Sequence, residues 1–116
     1  MVAAYFVVTA VAALANCYAA VVDILQTDRA VANAVRVGAS RAWLRPLGVV
    51  KAAGAAGLLV GFAVPAIGVA AAVGLVLYFI CAVGAHLRVR WYSTIVIPTV
   101  FLLLAAGALV MRLVTM

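Results

Sequence analysis

The polar residues of this sequence stand inside long apolar runs or at their ends. Thr9, Asn16 and Asp23 recur every seven residues, so on a helix they share one face, drifting by about 20° per step. Lys51 lies just inside a second apolar run, and His86 ends a third. If these runs are helices packed side by side, an amide, a carboxylate, an ammonium and an imidazole meet near one end. The candidate ligand-binding residues are Asn16, Asp23, Lys51, Tyr78 and His86, with Tyr18 as an alternative aromatic member.

Two interpretations of this cluster are open. In the structural one, Asp23 pairs with Lys51 or an arginine to hold helices together, and Asn16 bonds across helices, which contributes about 0.6 kcal/mol on average. In the chemical one, Asp23 or His86 exchanges protons, while amide and ammonium groups bond the polar atoms of a ligand. Intramembrane polar groups are costly and usually face the interior of a bundle, which both interpretations require.

The motifs of self-contained enzymes are missing from the sequence. One histidine and two separated cysteines do not make a metal site. Cys17 and Cys81 both fall inside apolar runs, and we expect them to be free, buried and inert. Whether the chain is an enzyme therefore stays open.

Three glycines recur in the second apolar run, at Gly54, Gly57 and Gly61. No strand precedes them, so they are not a phosphate-binding loop. The spacing of Gly57 and Gly61 is the GxxxG pattern that permits close helix contact. We expect a helix-packing face, directed either inside the bundle or toward another protein.

The composition explains why the polar residues are so few. Of 116 residues, 72% are hydrophobic and 9% are charged, with a mean hydropathy of +1.40. Soluble domains are about 45–50% apolar and about 25% charged. The sequence therefore predicts an integral membrane protein whose main partner is the lipid bilayer. The net charge of +6 is not a nucleic-acid signal, because the basic residues flank apolar runs.

Each spanning helix needs about 20 residues, so the chain has room for four. We predict an all-α, four-transmembrane-helix bundle in a single domain, 1–116. A capping Thr27 followed by Asp28 predicts a short interfacial helix between the first two spans. On that helix Val31, Ala34 and Val35 form the apolar face. The predicted spans are about 2–22, 47–64, 66–86 and 94–113, and the interfacial helix about 28–37.

The arginines predict the orientation. Six of the seven lie in the segments 23–45 and 86–93, which four spans place on one side, whereas Arg112 is near the C-terminus. The positive-inside rule then puts both segments in the cytoplasm and both termini outside. Trp43 and Trp91 fall on the same cytoplasmic edge. The preference for Arg, Ala, Val and Gly is typical of a GC-rich bacterium, so we expect the bacterial plasma (inner) membrane.

Six short stretches spread over nearly the whole chain occur in a characteristic order: ANCYAA at 15–20 with Asp23, PLGVVKAAG at 46–54, GLLVG at 57–61 with Pro65, GLVLY at 74–78, AVGAHLR at 82–88 and FLLL at 101–104. In this order and spacing the chain resembles the DoxX-like family of small bacterial membrane proteins. The resemblance implies a four-span bundle. Lys51 departs from the pattern, because many relatives have Glu there, and the cysteine pairs of a disulfide-handling branch are missing.

The resemblance leaves two functions open. Some relatives assist the assembly of membrane partners, which implies an accessory protein that packs against a larger membrane complex or forms a homo-oligomer. Other relatives resemble subunits of quinone-linked oxidoreductases, which implies a bundle that holds a quinone at the polar cluster.

Overall fold

The computed structural model describes residues 2–38, 41–90 and 95–115, and every regular element in these ranges is helical. The elements are α1 (Val2–Ile24), α2 (Asp28–Arg36), a 3-10 turn (Arg41–Trp43), α3 (Leu44–Val60), α4 (Pro65–Arg88) and α5 (Val96–Thr115). The predicted all-α class is confirmed. Trp91 and Thr94, the predicted start of the last span, lie outside the described residues.

Three of these helices, α1, α4 and α5, are long and apolar enough to cross a membrane. Their lengths of 23, 24 and 20 residues come from apolar sequence with only a few polar residues in it. Helix α3 has 17 residues, about 26 Å of helix, which is shorter than the ~30 Å hydrocarbon core. It carries Arg45 in its first turn and Lys51 further along.

The four long helices pack in the cyclic order α1, α3, α4, α5, so each contacts two neighbours. Successive helices are antiparallel. The described chain ends and the α3–α4 turn therefore lie at one end of the bundle, here called the terminal end. Helix α2 and the α4–α5 connection lie at the other, the α2 end. The core is built mainly from small residues: Ala12, Ala13, Ala55, Leu58, Ala72, Leu75, Phe79, Ala105 and Ala108.

Glycines bring α3 and α4 together at the terminal end. A Cβ on Gly57 would lie 2.6 Å from the Cβ of Ala71, and a Cβ on Gly68 would lie 2.9 Å from the Cα of Gly61. A Cβ on Gly54 would lie 2.6 Å from Leu75. The glycine face of α3 is therefore covered by α4, within the bundle.

The α1–α5 contact is also close at the terminal end. A Cβ on Gly107 would lie 3.3 Å from the Val8 side chain. The guanidinium carbon of Arg112 lies 4.7 Å from the centre of the Tyr5 ring, which in turn packs on Phe62 with ring centres 5.6 Å apart. The terminal end is thus closed on two sides by contacts between helices.

Helix α2 packs across the other end of the bundle. Its first turn is capped by the Thr27 hydroxyl, which accepts a bond from the Ala30 amide at 3.3 Å. Ala30 and Ala34 are buried against Leu44 and Val22. The expected apolar face was partly wrong, because Val35 is 60% exposed and Ala30 is buried instead. The face of α2 that contacts the bundle therefore contains Ala30 and Ala34. It is rotated around the helix from the face that the most hydrophobic residues predicted.

The Gly61–Gly68 contact predicts that a larger residue at Gly61 lowers the stability of the fold. Gly61→Ala places a methyl group against the α4 backbone, which cannot move away cheaply, so we expect a loss of about 1–3 kcal/mol. Gly84→Ala is the control, because a Cβ there meets open space and alanine favours the helix by up to about 1 kcal/mol. Thermal unfolding in detergent measures both. Equal stabilities for the two variants would contradict the contact.

Candidate ligand cavity at the α2 end

A cavity of about 910 Å³ lies at the α2 end and is lined by residues of all five α-helices. Its walls are mostly apolar, and Phe79 and Phe101 are among the largest side chains there. Four of the predicted candidate residues line it: Asp23, Lys51, Tyr78 and His86. Asn33 of α2 and Arg88 at the end of α4 add polar groups. This volume and lining are typical of a site for a small lipophilic molecule.

An ion pair forms the polar centre of the cavity. The Lys51 ammonium donates to the Asp23 carboxylate at 2.6 Å, and each side chain is 13% exposed. The same ammonium lies 5.4 Å from the centre of the Tyr78 ring. The structure thus contains the pairing predicted from the sequence, within a site that also faces a cavity. An ammonium carries three N–H donors, and the bond to Asp23 uses one of them.

Gly48 explains how Lys51 reaches Asp23. It lies about one turn before Lys51 on α3, and a Cβ there would lie 3.0 Å from the Ala20 carbonyl oxygen and 3.1 Å from the Asp23 Cβ. The missing side chain lets α3 approach the last turns of α1. We did not assign Gly48 a role from the sequence, although its spacing from Lys51 places both on one helix face.

His86 is oriented by its own helix. Its Nδ1 lies 2.9 Å from the carbonyl oxygen of Ala82, one turn earlier. Because a carbonyl only accepts, Nδ1 is assigned the proton, and the neutral ring then has its acceptor lone pair on Nε2. The ring therefore brings a defined polar edge to the α4 wall of the cavity.

Asn16 is not among the residues that line the cavity. It is fully buried, about 10 Å along α1 from Asp23, and its amide donates to the Ala12 carbonyl at 2.8 Å. Its Oδ1, and the hydroxyl of buried Thr9, have no hydrogen-bond partner among the described residues. The structure therefore brings together four of the five candidates and separates Asn16 from them.

The expectation that the cysteines are buried was wrong. Both are free, as predicted, but both are exposed on the bundle, and Cys81 also lines the cavity. Cys17 lies 100° around α1 from Asn16, and that rotation takes it out of the core contact.

A bundle of apolar helices, three of them of membrane-spanning length, defines the chain as a helical membrane protein. The chain belongs to the DoxX-like family, because the sequence model of that family matches residues 7–108. This confirms the resemblance noted in the sequence. No curated protein and no solved structure gives a significant match.

The ion pair predicts that the loss of either charged group alone lowers the stability of the fold. Lys51→Met leaves the Asp23 carboxylate without its partner, and Asp23→Leu does the same to the ammonium, so each single change should cost about 3–5 kcal/mol. The double variant removes both charges and should recover most of that loss. Unfolding of the three variants in detergent gives the comparison. Additive losses in the double variant would show that the two groups do not depend on each other.

Proposed function

We propose that the chain binds a lipophilic molecule with a polar head inside the membrane. The cavity of about 910 Å³ with the Asp23–Lys51 pair at its polar centre is the observation that carries this proposal. Apolar walls favour a hydrophobic body, and Lys51 and Tyr78 offer donors to a head with acceptor oxygens. Asp23 holds the ammonium in place. A membrane quinone is the member of this ligand class that the family resemblance implies.

Each residue of the site would make a different interaction with the ligand. Lys51 would donate a charge-assisted hydrogen bond to an acceptor oxygen of the head, and such bonds are stronger than those from neutral donors. Tyr78 of α4, whose ring lies beside the Lys51 ammonium, would offer a hydroxyl and an aromatic face. Asp23 or His86 would exchange protons with the cytoplasmic side when a bound head changes its protonation state. When bound, a quinone supplies two-electron chemistry, with electrons from a partner oxidoreductase.

The accessory role stays a prediction. Its sequence support was the small size of the chain, the missing catalytic motif and the glycine face of α3, and in the structure α4 covers Gly57 and Gly61 of that face. A quinone-binding subunit also needs a redox partner, so attachment to a larger complex is compatible with the cavity. The cavity favours ligand binding as the primary function.

We also propose that α3 crosses the membrane with the other three helices, in a bacterial plasma membrane. Its 17 residues continue into the apolar turn 61–64, and α3 lies beside α1 and α4 in the bundle. Arg36, Arg45, Arg88 and Arg90 then all lie at the α2 end. The positive-inside rule places this end in the cytoplasm and both termini outside.

Quinone binding is tested by purification in mild detergent, followed by lipid extraction and titration with a ubiquinone and a menaquinone. We expect Lys51→Met to weaken binding at least about tenfold, since hydrogen bonds to charged groups contribute about 1.5–3 kcal/mol. Arg45→Met is the matched control, because it removes a cation at the same end that does not line the cavity. Equal losses in both variants, or no binding by the wild type, would refute the proposal.

Reporter fusions test the topology. Alkaline phosphatase fused after Thr115 should be active, and the same enzyme fused after Val89 should be inactive. If α3 does not cross the membrane, α4 would begin in the cytoplasm and the Val89 fusion would be active. A fluorescent protein that folds only in the cytoplasm should give the reverse pattern at each position.

A further inference from the structure

We infer that the ligand carries a long apolar chain, which leaves the cavity between α1 and α5 and enters the surrounding lipid. This inference rests on the proposed function and adds the direction from which the ligand binds. It depends on where the cavity meets the surface of the bundle, which residues surround each opening, and how the α2 end is closed.

Helices α1 and α5 meet differently at the two ends of the bundle. At the terminal end they touch through Val8 and Gly107. At the α2 end, Ala19 and Val22 of α1 and Phe101 of α5 line the cavity. The cavity therefore occupies a gap between the two helices at the α2 end.

This gap reaches the outer surface. Tyr18 and Ile97 both line the cavity, yet they are 73% and 43% exposed. Tyr18 lies about 200° around α1 from Asn16, which faces the core, so it stands on the outer side of the helix. In a bilayer the outer side faces acyl chains. The cavity is thus continuous with lipid beside Tyr18 and Ile97.

Leu77 and Cys81 of α4 are further exposed wall residues, and they mark a second opening beside Tyr78 on the same helix. The Lys51 ammonium lies over the Tyr78 ring there, so this opening has a charged group at its inner edge. Burying a hydrocarbon chain against an ammonium is unfavourable, whereas the α1–α5 side offers alanine, valine and phenylalanine walls. The head therefore belongs at the α3–α4 side and the chain at the α1–α5 side.

Helix α2 covers the cavity on the aqueous side. Ala30, Ala34 and Val37 line it there, and the Arg88 guanidinium donates to the Val37 carbonyl at 3.3 Å. Gly38, which follows, has φ +88°, a left-handed conformation that glycine adopts without strain. A ligand that comes from lipid passes between α1 and α5 and does not need to displace α2.

The test uses the full chain in lipid nanodiscs and two quinone probes that share one head, one without a tail and one with a long isoprenoid tail. Each affinity is expressed as the mole fraction of the probe in the nanodisc lipid at half-saturation, which corrects for the different partition of the two probes into lipid. The wild type should bind both. Ile97→Trp fills the α1–α5 opening and should weaken the long-tailed probe at least about tenfold more than the tailless probe. Leu77→Trp, at the opposite opening, should change both affinities by the same factor, because the tail does not pass there. Leu103→Trp, on an exposed part of α5 that does not line the cavity, should leave both affinities unchanged.

The outcomes separate the two proposals. Binding of the tailless probe by the wild type reports on the proposed function alone. If Leu77→Trp excludes the long-tailed probe and Ile97→Trp does not, the inferred direction is wrong. Binding of neither probe by the wild type overturns both proposals.

A second measurement does not depend on filling the opening. A nitroxide on the tail should quench the added fluorescence of Tyr18→Trp more strongly than that of Leu77→Trp. Equal quenching at both positions would overturn the inference.

Discussion

The close approach of helix backbones at the terminal end is the constraint on which the rest of the structure depends. Lipid surrounds the bundle, so apolar burial gives little force for helix association, and tight packing of small residues must supply it. Gly61 against Gly68, and Gly107 against Val8, provide that packing at one end. No such glycine contact joins α1 to α5 or α3 to α4 at the α2 end of the described residues, and the cavity lies there between the helices.

The charged pair fits this arrangement. A lone carboxylate or ammonium at the edge of the hydrocarbon would be costly, and a salt bridge of 2.6 Å reduces that cost for both groups. Gly48 permits the short distance between α1 and α3 that the bridge requires. The pair therefore fastens α3 to α1 and at the same time gives an otherwise apolar cavity a polar centre.

The helices and the pair were predictable, whereas the cavity was not. Apolar runs and the Thr27 cap depend on local sequence, and Asp23 and Lys51 were expected at one end because both flank apolar runs. Asn16 was grouped with the cavity residues although it does not line the cavity. Its seven-residue spacing from Asp23 predicts that both lie on one face of α1, but it does not predict how far along the helix the cavity extends. That extent depends on where the helices separate, and the separation depends on contacts such as Gly61–Gly68, which join positions from two helices. The exposure of the cysteines depended on helix rotation, which composition does not determine.

The tight turn between α3 and α4 has a consequence for how the protein enters the membrane. On its own, α3 is short and carries a charged lysine, so its partition into lipid is weak, whereas α4 is strongly hydrophobic. Four residues, 61–64, join them, and glycines hold their backbones together. If α3 crosses the membrane as proposed, the two helices are suited to leave the translocation machinery as one hairpin, in which α4 supplies the driving force that α3 lacks.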